Sequence, residues 1–263
     1  MEPYDHNPIV EMRDIEKHFG PVIALNGVSF DIRPGECHCL LGDNGAGKST
    51  FIKTMAGVHK PTKGAIFFEG RQMSFDSPRD AMEAGIATVY QDLAMIPLMS
   101  VTRNFWMGRE PIKRVGPFNF MDFKTANEVT MEEMRKMGIN LRSPDQAVGT
   151  LSGGERQTVA IARAVHFGAK VLILDEPTSA LGVRQTANVL STIDKVRKTG
   201  IGIVFITHNV RHALAVGDRF TVLNRGKTLG TAQRGQITPE ELQDLMAGGQ
   251  EMVALEGSLG GTV

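Results

Sequence analysis

One stretch limits the folding options of this chain more than any other. Gly42–Thr50 reads GDNGAGKST and sits between a strand-like segment, Glu36–Leu41, and a helix-like one, Lys48–Ala56. It fits the pattern G-x-x-x-x-G-K-[ST]. Gly42, Gly45 and Gly47, with the small Ala46 between them, let the backbone curl. The N–H groups of the loop, those of Asp43 and Asn44 included, can then point inward at an anion. The helix starting near Lys48 adds the positive end of its dipole. Lys48 brings a point charge to β- and γ-phosphates, and Ser49, followed by Thr50, offers a hydroxyl to Mg²⁺. A plain glycine turn needs neither the lysine nor the strand–loop–helix setting. The loop therefore predicts a nucleoside triphosphate site, without saying what the energy drives.

A second site candidate lies far along the chain. Val171–Glu176, VLILDE, is an apolar strand that ends in two acids. Carboxyl ends of parallel strands are where such sheets bind ligands. Asp175 suits Mg²⁺, directly or through water, and Glu176 can polarise an attacking water. Two acids can also merely solvate a strand end. The immediate turn at Pro177-Thr178-Ser179, and a loop that already supplies a metal ligand, favour catalysis. His208 follows another apolar strand, Ile201–Thr207. It can reach a γ-phosphate or the attacking water, or serve as a structural histidine. His208 and His212 have i,i+4 spacing, but no acid stands between them as in H-E-x-x-H, which argues against zinc hydrolysis.

Leu151–Gln157, LSGGERQ, opens a further helix. Ser152 is an N-cap and Glu155 completes a capping box. Gly153 and Gly154 leave the first turn bare enough for a phosphate. By spacing alone, an anion site and an ordinary capped helix are equally good readings.

Composition narrows the class. The chain has 263 residues, with 29 Lys+Arg balanced by 29 Asp+Glu, and 6% aromatics. Balanced charge and few aromatics argue against a nucleic-acid-binding surface. No apolar run approaches the ~18–20 residues of a membrane span, and MEPYDHNPIV lacks the basic and apolar regions of a secretion signal. Cys37 and Cys39 are too close on one strand to staple a fold. Residues 9–35 read as short strands, Pro78–Ala84 as a short helix and Ile86–Gln91 as a strand. The Met-, Pro- and Phe-rich texture after Gln91 reads as a helical insertion over 92–165. It includes a helix capped by Asp122 and running to Met137. Short strands follow at Arg219–Leu223 and Lys227–Thr231. The last helix has Thr238 as N-cap, Pro239 at N1 and Gly248 as its stop, before a Gly-rich tail of loose appearance.

These motifs occur in a telling order: GDNGAGKST, Tyr90-Gln91-Asp92, LSGGERQ, LILDEPTSALG, Thr207-His208. In that order, over about residues 9–230, the chain resembles the ATP-binding cassette (ABC) ATPases. The resemblance implies an α/β P-loop NTPase fold with a RecA-like core, an antiparallel β subdomain and an α-helical subdomain. The expected division is 1–91 and 166–230 for the core and β subdomain, 92–165 for the helical subdomain with LSGGERQ, and 231–263 for a C-terminal helix and tail.

The resemblance also implies ATP and Mg²⁺ as ligands and a head-to-tail dimer with a second copy. ATP would lie between Gly42–Thr50 of one copy and Ser152–Glu155 of the other. Gln91 would join Mg²⁺ and the γ-phosphate to the lobe that meets transmembrane permease subunits. Phe19, in Lys17-His18-Phe19-Gly20, would stack on adenine; the alternative is a core phenylalanine. Gly182 departs from the family, most of whose members have Asp there.

Gln91–Glu110, QDLAMIPLMSVTRNFWMGRE, and Thr178–Leu190, TSALGVRQTANVL, are similar to sugar-uptake members. The similarity is greatest to single-cassette importers of the fructose/ribose/mannose type. It implies an ATPase on the cytoplasmic face of the inner membrane, held there by the permease and served by a periplasmic sugar-binding protein. Of Leu93, Met95, Ile96, Leu98, Met99, Phe105 and Met107, most are expected in the lobe's core and one or two exposed for docking. Alternatives are a soluble ABC ATPase of iron–sulfur assembly, or one serving another small solute.

Overall fold

The computed structural model describes residues 7–248, which divide into two compact units. The tail expected after Gly248 lies outside the described residues.

The first unit takes the chain up to Tyr90, then Ala169–Pro177, and resumes at Ile193. Its first elements are β1 (Val10–Phe19) and β2 (Val22–Ile32), long antiparallel arms rather than short strands. Register shifts after Met12, Ile15 and Lys17, and a left-handed Asp14 (φ 49), break their alternation into apparent short pieces. Then come β3 (Cys37–Leu41), α1 (Lys48–Met55), β4 (Lys63–Phe68), β5 (Arg71–Met73), α2 (Pro78–Ala84) and β6 (Ile86–Val89). One sheet runs β2-β1-β4-β5.

The second unit is Gln91–Gly168 with Thr178–Thr192. It holds α3 (Val101–Trp106), β7 (Ile112–Val115), β8 (Phe118–Met121), α4 (Phe123–Lys136) and α5 (Gly153–His166). Its core is Val101, Phe105, Met134, Val148 and Val159 among others. The Trp106 indole donates to the Ala126 carbonyl and Thr130 hydroxyl, both at 3.1 Å. Asp122 caps α4 by accepting from the Thr125 N–H at 3.2 Å. The β7–β8 hairpin is an addition to the expected helical insertion. Gly116 has φ 62, the sign a type II′ turn requires at its first central position. β-Branched and aromatic residues flank it.

The chain returns with β9 (Val171–Asp175), and α6 (Val183–Arg197) carries it from the second unit back to the first. Then follow β10 (Gly202–Thr207), α7 (Val210–Val216), β11 (Arg219–Asn224), β12 (Lys227–Gln233) and α8 (Pro239–Met246). The main sheet has the order β12-β11-β3-β10-β9-β6. β3, β10 and β9 are parallel, buried neighbours, as their near-continuous apolar runs require. Cys37 and Cys39 are free, buried members of that layer.

His38 is also inside, stacked on Phe30 with 3.9 Å between centroids. Its Nδ1 is 2.7 Å from the Asp31 carbonyl and its Nε2 2.8 Å from Thr221 Oγ1. Burial first, then the Arg219 charge, push its pKa well below the usual imidazole range.

A nucleotide-type site at one edge of the main sheet

Parallel pairing decides where the sequence motifs meet. Thr207 of β10 is opposite Leu41 of β3, and Ile206 is opposite Asp175 of β9. The loop after β3, the acids closing β9 and the His208 turn closing β10 therefore leave the sheet at one edge.

The Gly42–Thr50 loop needs its glycines. A Cβ on Gly42 (φ 150) would come 2.4 Å from the Leu223 carbonyl oxygen. One on Gly47 (φ 106) would come 3.0 Å from the Ala24 oxygen. Gly47 is the N-cap of α1 and brings no side-chain hydrogen bond, so the first turn's N–H groups have no capping side chain. The loop is braced by Ala46 N–H to the Asp43 oxygen at 3.1 Å and Gly226 N–H to the Ala46 oxygen at 2.9 Å. Asn44 N–H donates to Asp43 Oδ1 at 2.7 Å. The Lys48 ammonium donates to the carbonyls of Gly42 at 2.6 Å and Asp43 at 3.1 Å. Burial lowers the Lys48 pKa, opposed by the negative charges of Glu176, Asp43 and Asp175.

Asp175 is half-buried, and desolvation followed by the neighbouring Glu176 raises its pKa, while Lys48 and Lys53 oppose the rise. Such a carboxylate gains from a nearby cation. Glu176 has φ 47, a left-handed conformation rare for a non-glycine residue. Its N–H donates to the Ile206 carbonyl at 3.0 Å. Its Oε1 accepts from the His208 backbone N–H at 3.0 Å and lies 2.8 Å from the His208 ring Nδ1. Its Oε2 accepts from the Thr207 hydroxyl at 3.2 Å. In the sequence that hydroxyl has no role of its own; a threonine between an apolar strand and His208 is its only local trace. Capping of α7 falls to Asn209, which accepts from the His212 N–H at 3.2 Å. Burial lowers the His212 pKa. Among the described residues no group of His, Cys, Asp and Glu forms a metal cluster.

Phe19 is 43% exposed rather than a core residue. Its ring meets His59 edge-on at 5.2 Å, and Lys17 Nζ stands 5.1 Å from its centroid.

The remaining candidates belong to the second unit. Gln91 is exposed. Ser152 Oγ accepts from the Glu155 N–H at 3.3 Å, and Glu155 Oε2 from the Ser152 N–H at 2.8 Å, closing the capping box. The two glycines have a packing reason as well. A Cβ on Gly153 would come 2.7 Å from Leu181 Cδ2, and one on Gly154 3.1 Å from Gln185 Cβ. Of the Met-rich segment, Phe105 is fully buried, while Ile96 (45%) and Leu98 (93%) are exposed.

The family model described as "ABC transporter" matches residues 25–179. The chain belongs to the ABC transporter family. It is 44% identical to a xylose/arabinose import ATP-binding protein of Sulfolobus acidocaldarius, over 90% of this chain and 93% of that one. It is 41% identical to a fructose import ATP-binding protein of Rhizobium meliloti, over 93% and 95%. A ribose import ATP-binding protein of Geobacillus kaustophilus is 37% identical, over 92% of this cassette and 48% of its own length. Among solved structures, an ATP-binding cassette in its ADP conformation superposes with a TM-score of 0.80 at 22% identity, covering 96% of this chain and 100% of the other. A nucleotide-free cassette gives 0.78 at 23% identity, covering 92% and 96%. The α/β cassette fold is thereby shared. No helix among the described residues is long and apolar enough to cross a membrane.

Proposed function

We propose that the chain is the ATP-hydrolysing subunit of an importer for a monosaccharide of the fructose, ribose or mannose type. The near-full-length likeness to import proteins named for xylose/arabinose and fructose carries this reading. Two copies would sandwich two nucleotides, Gly42–Thr50 of one facing Ser152–Glu155 of the other. Permease subunits would hold the pair at the cytoplasmic face of the inner membrane, and a periplasmic binding protein would deliver the sugar.

The residues fit a magnesium nucleoside triphosphate. The half-buried Lys48 ammonium stands 2.6 Å from the Gly42 carbonyl, and the first turn of α1 has no capping side chain, so its N–H groups can take an anion. Ser49 and Asp175, with Gln91 as the family resemblance implies, would be the oxygen donors for Mg²⁺, which when bound would neutralise charge on the phosphates. Lys48 would exchange its carbonyl partners for phosphate oxygens. Glu176, aimed by its donors, would take a proton from the attacking water. His208, 62% exposed, would turn between Glu176 and the γ-phosphate. Phe19 would carry the adenine on a ring face. Gln91 would transmit the state of the site to the second unit, where Ile96 and Leu98 offer apolar contact to a membrane subunit.

The test is transport in proteoliposomes holding the cassette with its permease and binding protein. From a labelled panel of fructose, ribose, mannose and xylose, ATP-driven uptake of one of the first three is expected, and Glu176→Gln should stop it. ATP hydrolysis that no sugar stimulates and that moves none would refute the reading.

A further inference from the structure

Beside Glu176 stands a hydroxyl that takes no part in the chemistry of hydrolysis itself. Thr207 closes β10 with only 1% of its surface exposed. Its Oγ1 accepts from the Asn209 backbone N–H at 3.1 Å. That bond occupies the lone-pair side of the hydroxyl and leaves its proton to donate, and the acceptor is Glu176 Oε2 at 3.2 Å. The opposite oxygen, Oε1, takes the donors of His208.

These donors differ in how firmly they are held. The His208 ring is 62% exposed, so water competes for its bond to Glu176. The His208 N–H belongs to the backbone between β10 and α7. The Thr207 hydroxyl is on a buried, β-branched side chain with restricted χ1. Glu176 itself holds a left-handed backbone conformation, φ 47, which is rare for an L-residue outside functional sites. A carboxylate held through Oε1 alone can still roll about its Cγ–Cδ bond. Held through both oxygens, its plane is fixed.

We infer that Thr207 is a positioning residue: its hydroxyl fixes the plane of the Glu176 carboxylate and keeps it aimed when the His208 ring leaves. The inference rests on the reading of Glu176 as the base for the attacking water. Thr207 need touch neither nucleotide nor water to act.

Steady-state ATP hydrolysis of the full chain tests this with two matched pairs, Thr207 against Thr207→Val and Thr207→Ser against Thr207→Ala. Within each pair the chief difference is the hydroxyl, so the second pair decides if the valine chain does not fold. The hydroxyl-free member of each pair should lose kcat by about tenfold, with KM for ATP and nucleotide affinity unchanged. Thr207→Ser should stay within about twofold of the native rate. A role confined to accepting from the Asn209 N–H would instead lower the melting temperature of the hydroxyl-free members and leave kcat equal within each pair. Equal kcat within both pairs, or a loss expressed in KM alone, overturns the inference. Glu176→Gln is measured alongside. If it abolishes turnover while Thr207→Ala matches Thr207→Ser, only the role of Thr207 fails. If it turns over normally, the base assignment fails and Thr207 with it.

Discussion

The ring Nδ1 of His208 lies 2.8 Å from Oε1 of Glu176, although 32 residues of chain separate them. Parallel pairing of β9 with β10 makes this contact possible, since it brings Asp175 level with Ile206. His208→Ala removes the ring donor from Glu176, while the backbone N–H and the Thr207 hydroxyl are among the partners that stay. Turnover should fall by roughly 10–10²-fold while ATP binding, followed calorimetrically, stays near native. A proportionate loss of binding would place His208 in affinity rather than in hydrolysis.

Lys48 has its ammonium 2.6 Å from the Gly42 carbonyl inside the loop. Lys48→Ala deletes the one side-chain cation that the loop turns inward. Titration with a fluorescent ATP analogue should show affinity reduced by at least ~10-fold, the scale of a lost charge-assisted hydrogen bond. Native affinity in this variant would remove Lys48 from the phosphate site.

Two glycines of the same loop should respond differently to alanine. Gly42→Ala drives a Cβ to 2.4 Å from a backbone oxygen, whereas at Gly45 nothing lies within 4 Å. Gly45→Ala carries only the cost of its positive φ, about 1–2 kcal/mol. Gly42→Ala adds a backbone clash and should lower the melting temperature distinctly more. Equal melting temperatures would contradict the packing described around Leu223.

Gly182 is exposed with open space where a Cβ would stand, and its carbonyl accepts from the Thr186 N–H at 2.9 Å as α6 begins. That is the position of an N-cap, where Asp is as favourable as Gly or better by a few tenths of a kcal/mol. Gly182→Asp should therefore melt no lower than the native chain. A clear drop would show that Asp is sterically or electrostatically refused there.

His38 carries a pH signature of the core. Its folded-state pKa is depressed, chiefly by burial. The stability it contributes is fully present above the unfolded imidazole value of about 6.5. It is lost as the pH falls from there through the lower folded-state pKa, because the unfolded chain takes up the proton first. Imidazole NMR resonances followed downward from neutral pH should show His38 unprotonated when exposed histidines are already charged. A His38 midpoint near 6.5 would contradict its buried, neutral state.

The parts of this molecule legible in the sequence are those whose chemistry is local. The Gly42–Thr50 loop, the Ser152–Glu155 capping box and the acids ending Val171–Glu176 declare themselves within a few residues. The β7–β8 hairpin does not: four-residue strands in a Met- and Phe-rich stretch give too short a period to separate from helix. Gly153 and Gly154 read in the sequence as a bare helix start, and their packing on Leu181 and Gln185 is visible only in three dimensions. The bond from Thr207 to Glu176 spans 31 residues, and only sheet register brings its ends together.

The most direct test of the central claim is ATP hydrolysis by the native chain and by Glu176→Gln. The substitution keeps the side chain's size and removes its ability to accept a proton. Native turnover reduced by ~10²–10⁴-fold, with ATP still bound, is the result expected of a base at the end of β9. Hydrolysis by Glu176→Gln at close to the native rate would contradict it.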